Sequence, residues 1–259
     1  MGKRPRPARE GKARPAKRGP GRPATRGNNA LSKRDIIQCA LELCRHEPLQ
    51  AVSIVRVANE LGVTPALIHY YVGGRDHLTS GVMNSYYEAL VEQLPAQTTE
   101  WRADVTAVFD TIYAHYIRFS GVVAYVMSHN RFRLFQLVGP GERDHGAAFF
   151  ERVIGAVRMA GLSPQRTAMY SHLLLQHVLS SAFQQTSHQL PEDHQAFLVS
   201  RLRKLDTSET PNTHFVLESF AALRGDEAFR TGLALITDAM GREVGVRTAP
   251  PRKRRTAER

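Results

Sequence analysis

The chain has 259 residues, 42% of them apolar, two cysteines and a formal charge of +11. This length gives room for a small domain and a larger one. Two cysteines are too few for a disulfide scaffold, and no apolar run approaches the ~18 residues of a spanning helix, so no membrane partner is expected.

The charge is uneven. Residues 1–30 carry ten Lys/Arg against one Glu, residues 247–259 carry six against one, and the body between them is left at −3. A mildly acidic globule with basic tails implies a polyanionic partner, nucleic acid ahead of membrane. The first residues, Met1 to Arg6, lack the apolar core of a secretory signal. A cytoplasmic, nucleoid-associated protein is therefore expected. Residues 1–30 are rich in Pro, Gly, Arg, Lys and Ala and cannot bury enough apolar surface to fold alone, so they read as a disordered basic arm. Within the arm, Gly21-Arg22-Pro23 resembles the core of an AT-hook, which lays Arg into a narrow A·T-rich minor groove. Pro20 stands where that motif has its first Arg, so the match is partial. Arg18 and Arg22 are the expected DNA contacts of the arm; a solvated tail without base preference is the alternative.

Residues 31–78 read as three helices. The first, amphipathic and capped at Ser32, carries Ile36, Ile37, Ala40 and Leu41. Cys39 and Cys44 lie on different sides of it, with Cys44 toward the core. Ser53 caps the second helix, Val57, Ala58 and Leu61 give its inner face, and Gly62 supplies the left-handed end. Thr64 then caps a third helix with Pro65 at its first position, and Ile68 points inward. This is a helix-turn-helix, built to place one short helix in the major groove. Thr64, Pro65, Ala66, His69 and Tyr71 fall on its outer face. An ordinary helical hairpin is the alternative.

With its flanks, the segment from Leu31 to Leu78 resembles the DNA-binding domain of the tetracycline-repressor (TetR) family. The resemblance rests on Leu31-Ser32, Ile36-Ile37, Ala40 to Leu43, Ser53, Val57-Ala58, Leu61 to Thr64, Leu67-Ile68, Tyr70 to Val72, Arg75 and Leu78. His69 stands where the family usually has Tyr, and Gly73-Gly74 where it usually has polar residues. The resemblance implies a dimer on a double-stranded DNA operator. Its expected contacts are Ser53, Arg56, Thr64, Pro65, Ala66, His69, Tyr70, Tyr71 and Arg75, the last acting on phosphate.

Residues 79–246 read as a larger helical domain, and 247–259 as a basic tail. The fold class is all-α, with helices expected over 78–94, 102–119, 122–130, 142–160, 164–188, 192–204, 212–223 and 226–244. Pro95, Gly121, Gly139-Pro140-Gly141, Gly161, Pro191, Pro211 and Gly225 mark the joints.

The helices after Ala160 and after Gly225 resemble those of the tetracycline-repressor subgroup, where such helices pair as a four-helix dimer interface. Leu179, Phe183, Phe229, Gly232, Leu233, Ile236 and Met240 are the residues this implies, and a helix apolar on two sides needs two partners. Burial within one subunit is the alternative. Between these helices a small-molecule effector site is expected from Tyr116, Phe119, Tyr125, His129, Phe132, His172, Gln176 and Phe183, a mixture suited to a mostly apolar ligand. Tyr125 and Gln184 fall where the subgroup has metal-linked groups, so neither metal nor cofactor is expected. No catalytic motif stands out, and an enzyme is not expected. The sequence thus points to a ligand-responsive repressor, with a constitutive or architectural DNA-binding protein as the rival.

Overall fold

The computed structural model describes residues 31–129 and 134–248. Among these residues all regular structure is helical. The expected AT-hook-like arm, with Arg18 and Arg22, lies outside the described residues, as do Phe132 and most of the basic C-terminal tail. The described residues from Ser32 onward form one compact unit.

The first three helices are α1 (Lys33–Leu43), α2 (Ile54–Leu61) and α3 (Pro65–Val72). A reciprocal cap starts α1: the Ser32 hydroxyl accepts from Asp35 N, and the Asp35 carboxylate accepts from Ser32 N. Ile36, Ile37, Ala40, Leu41 and Cys44 bury its inner face. Ser53 starts α2 by accepting from Arg56 N at 3.1 Å. Gly62 ends it at φ 67°, where a side chain would be strained. Val57 and Ala58 are fully buried, so α2 meets α1 and α3 closely. At α3, Thr64 holds the cap position with extended backbone, but its hydroxyl makes no capping bond. Pro65 at the first turn starts the helix instead.

The long α4 (Arg75–Gln93) packs on α1 and on α7 (His145–Arg158), so it belongs to both the small three-helix unit and the larger bundle. The expected boundary at 78/79 falls inside it. The bundle continues with α5 (Trp101–Arg118), α6 (Ser120–Ser128), α8 (Pro164–Thr186), α9 (Gln195–Leu202), α10 (Pro211–Ala221) and α11 (Gly225–Thr248). The central element is α8, which touches α5, α6, α7 and α11.

Three boundaries differ from expectation for visible reasons. The helix expected from 142 starts at His145, because Asp144 caps Ala147 N at 3.1 Å while Glu142 is drawn to Gly139 N and to Lys33. The stretch from 192 divides into a 3-10 turn, Pro191–His194, and α9, with Asp193 accepting from Leu190 N. Gly121 does not break the chain but lies inside α6, where a Cβ would come within 1.9 Å of the Glu47 carbonyl oxygen. The α5–α6 break is at Phe119.

Candidate nucleic-acid interface

The inner side of α3 is fixed by Ile68 and Val72, both buried. Thr64, Pro65, Ala66, His69 and Tyr70 are exposed, and Tyr71 is half-buried. Tyr70, 82% exposed, is the outermost aromatic group and meets the Tyr71 ring edge-on at 5.4 Å. Periodicity favours Tyr71 for the outer face; the structure puts Tyr70 further out, because Val72 takes the inward position at the helix end. His69 Nδ1 lies 2.8 Å from the Gly73 carbonyl oxygen. A carbonyl only accepts, so Nδ1 donates a proton in this contact. Such a face, small at its start and aromatic at its end, can lie against groove walls and base edges.

The expected basic contacts are committed elsewhere. The Arg56 guanidinium bonds both oxygens of Glu47, the shortest contact being 2.7 Å, and also Glu60 at 2.7 Å. These carboxylates hold its pKa above the usual arginine value. Arg56 thus braces α2 against the α1–α2 connection. Ser53 spends its hydroxyl on the helix cap. At the start of α4, Arg75 donates to the Gln50 carbonyl while remaining exposed.

The same connection is bolted to the bundle through α6. Gly121 N donates to the Cys44 carbonyl at 2.9 Å, Leu49 N donates to the Gly121 carbonyl at 3.1 Å, and the Ser120 hydroxyl donates to the Arg45 carbonyl at 3.1 Å. At the other end of α6, Gln50 donates to the Ser128 hydroxyl at 2.6 Å. Only glycine permits this backbone-to-backbone approach at 121, a use that its role as a breaker in the sequence conceals.

In the bundle, Tyr116 and Phe119 are brought together by Tyr86. The Tyr86 ring lies 6.2 Å from Tyr116, 5.7 Å from Phe119 and 4.6 Å from His115. Sequence reasoning missed Tyr86 and His115. Both are buried, and neither the Tyr86 hydroxyl nor His115 Nε2 finds a hydrogen-bond partner. Burial pushes His115 down to about 4, with Arg118 adding to the effect and the Tyr86 backbone opposing it. Tyr125 and His129 stack at 4.4 Å. His172 and Gln176, by contrast, lie exposed on the outward face of α8 beside Met169 and Leu173. Among the described residues expected at one effector site, His172 and Gln176 are therefore not gathered with Tyr116 and Phe119. Phe183 is half-buried near the end of α8.

The expected dimer residues also divide. Phe229, Leu233 and Met240 are buried within the subunit. Phe229 stacks on Tyr113 at 4.0 Å and on His177 at 5.6 Å, and its carbonyl meets His177 Nε2 at 2.9 Å. Gly232 lies against the His177 ring, where a Cβ would come within 2.3 Å. These residues correct the sequence expectation: they join α11 to α8 of their own chain. Leu179 and Ile236 are half-buried, and Leu235, 63% exposed, is a large apolar group that α11 turns outward.

No family model matches the chain. Curated relatives include the HTH-type transcriptional regulator BetI of Brucella anthropi, 33% identical over 66 residues, which is 26% of this chain and 34% of that protein. BetI of Brucella suis biovar 1 matches at 33% identity over 66 residues, 33% of its length. The chain thus spans about a third of the length of the curated relatives it matches. Apo ActR from Streptomyces coelicolor superposes with a TM-score of 0.70 at 22% identity, covering 86% of this chain and 100% of ActR. The fold is that of the TetR family. A second TetR-fold structure, ActR in complex with actinorhodin, gives 0.68 at 22% identity over 84% and 100% of the two chains. SCO7222, a TetR from the same organism, gives 0.64 at 17% identity over 82% and 98%. Among the described residues of this TetR fold no helix is long and apolar enough to cross a membrane.

Proposed function

We propose that the chain is a DNA-binding transcriptional regulator, a dimeric repressor that reads a pseudo-palindromic operator with α3 and releases it when a small molecule binds. The observation that carries this reading is the outer face of α3. Tyr70 and His69 project from a short helix whose other side is anchored by Ile68 and Val72 and whose neighbour ends on Gly62. A buried function would not leave an 82% exposed tyrosine beside an exposed histidine on an otherwise anchored helix. Two such heads on a dimer match two half-sites about one helical turn apart.

The dimer is read as α8 and α11 facing their copies through Met169, Leu173 and Leu235, with His172 and Gln176 at that face rather than in a ligand site. The effector, mostly apolar and bound without metal, is placed at the Tyr86, His115, Tyr116 and Phe119 cluster, whose unpartnered polar atoms can orient it. ActR, similar in fold, has been solved with actinorhodin. An effector there bears on α4 and α5, and α6 follows directly after Phe119. Its differential affinity for two head positions would shift operator binding, and operator would weaken the effector by the same factor.

Footprinting the full chain on the DNA around its own gene tests this. A protected two-fold site, released by an aromatic compound from a screen, is expected. Uniform, sequence-independent protection would instead support the architectural reading.

A further inference from the structure

A cleft of about 600 Å³ lies where α1, the end of α3, α4 and the segment before α7 meet. It is separate from the aromatic cluster of the bundle, and at the end of α3 it reaches Tyr71, at the edge of the outer face. Its floor is apolar, with Ile37 and Val72, and its rim carries Leu137, 77% exposed. Leaving such a side chain in water has a cost that a ligand placed against it would remove. Ser80, only 2% exposed, also lines the cleft, and its hydroxyl has no hydrogen-bond partner. A buried hydroxyl without a partner is destabilising, and a ligand atom that bonds it removes that cost.

The charges around the cleft are not balanced. Lys33 is paired with Glu142 at 2.8 Å, and Glu88 faces His145 Nε2 at 3.8 Å. Arg34 and Arg143 have no ion-pair partner among the described residues. The rim is held in place, because Asn84 donates to the Arg143 carbonyl at 3.1 Å and accepts from His145 N at 2.9 Å. A fixed rim lowers the ordering cost of binding.

We propose that this cleft is a second small-molecule site, for an amphipathic monoanion with a ring or short chain bearing one carboxylate. The apolar part lies on Ile37, Val72 and Leu137, the carboxylate faces Arg143 and Arg34, and the Ser80 hydroxyl gains a partner. Binding itself is independent of the DNA-binding reading. Its regulatory consequence rests on that reading: an occupant touches α1, α3 and α4 together, so it biases the head, and operator DNA changes its affinity by the same factor.

The test uses naphthalene-2-carboxylate, titrated calorimetrically into the full chain without DNA, with naphthalene-2-methanol as the uncharged control. Saturable binding at one molecule per chain is expected, at least tenfold tighter for the acid. Arg143→Gln and Leu137→Asp, both surface changes, should each weaken it at least fivefold with the melting temperature unchanged. Ser80→Ala should weaken it by a smaller factor. Absence of saturable binding overturns the proposal. So does acid binding that survives Arg143→Gln and Leu137→Asp but is lost in Tyr116→Ala, which would place the molecule in the bundle. Because no DNA is present, a failure here is distinct from a failure of the operator reading.

Discussion

The three-helix head and the bundle differ in how their residues are used. In the head each role is local: Ser32, Ser53, Gly62 and Pro65 start or stop a helix within four residues of themselves. In the bundle the decisive contacts are distant in sequence: Tyr86 with Tyr116 and Phe119, His177 with Phe229, and Gly121 with Cys44 and Glu47. Local chemistry fixes how the head displays α3. Long-range packing fixes what the bundle can bind and how it speaks to the head.

The junction between the two should be the most sensitive point. Gly121→Val would drive a Cβ into the Glu47 carbonyl oxygen, 1.9 Å away, and backbone cannot rotate aside as a side chain can. A loss of about 3 kcal/mol is expected, the upper end of overpacking costs, read by urea unfolding. Gly155→Val, on α7 with open space around it, is the control and should cost under about 1 kcal/mol. Equal costs would mean that the two regions are not joined at α6.

A pH titration separates the bundle's buried chemistry from the head's. His115 is held at about 4, below its ordinary 6.5, mainly by burial. The unfolded chain therefore takes up a proton that the folded chain refuses. Stability from this group is complete above pH 6.5 and is lost as pH falls toward 4. Between pH 7.5 and 5 the loss should be about 2 kcal/mol. His115→Gln should flatten that slope, and an unchanged slope would remove His115 as its source.

Leu235→Glu sharpens the division of α11 into inner and outer faces. A charge on the outward side should raise the dimer dissociation constant at least tenfold, about 1.4 kcal/mol, in sedimentation equilibrium, with the subunit fold intact. A dimer of unchanged strength would move the interface away from this face. Deleting residues 1–30 is expected to have the gentlest effect: weaker DNA binding and a shallower salt dependence, by about 0.9 in slope for each phosphate no longer neutralised. A full-length slope in the truncated chain would mean that the arm stays in solution.

This contrast also explains what could be read beforehand. The starts of α1 and α2 and the end of α2 were legible because the caps at Ser32 and Ser53 and the glycine stop at Gly62 act on their immediate neighbours. Whether an aromatic faces a cluster or solvent was not, since Tyr116 and His172 have the same local pattern on amphipathic helices and differ in whether another helix covers them. Phe229, Leu233 and Met240 looked available for a second chain because α11 is apolar on more than one side. One of those sides is consumed by α8, an assignment that no local rule contains. Arg56 shows both kinds of signal: its pairing with Glu60 sits at the i,i+4 helix spacing, while its second partner, Glu47, lies nine residues away, outside that spacing.

The central claim is that the exposed end of α3 reads DNA, and fluorescence anisotropy on the footprinted operator tests it most directly. Tyr70→Ala and His69→Ala should each weaken specific binding by roughly 1–3 kcal/mol. Affinity for unrelated DNA, the melting temperature and the dimer should stay the same. Full operator affinity in both variants would contradict the claim.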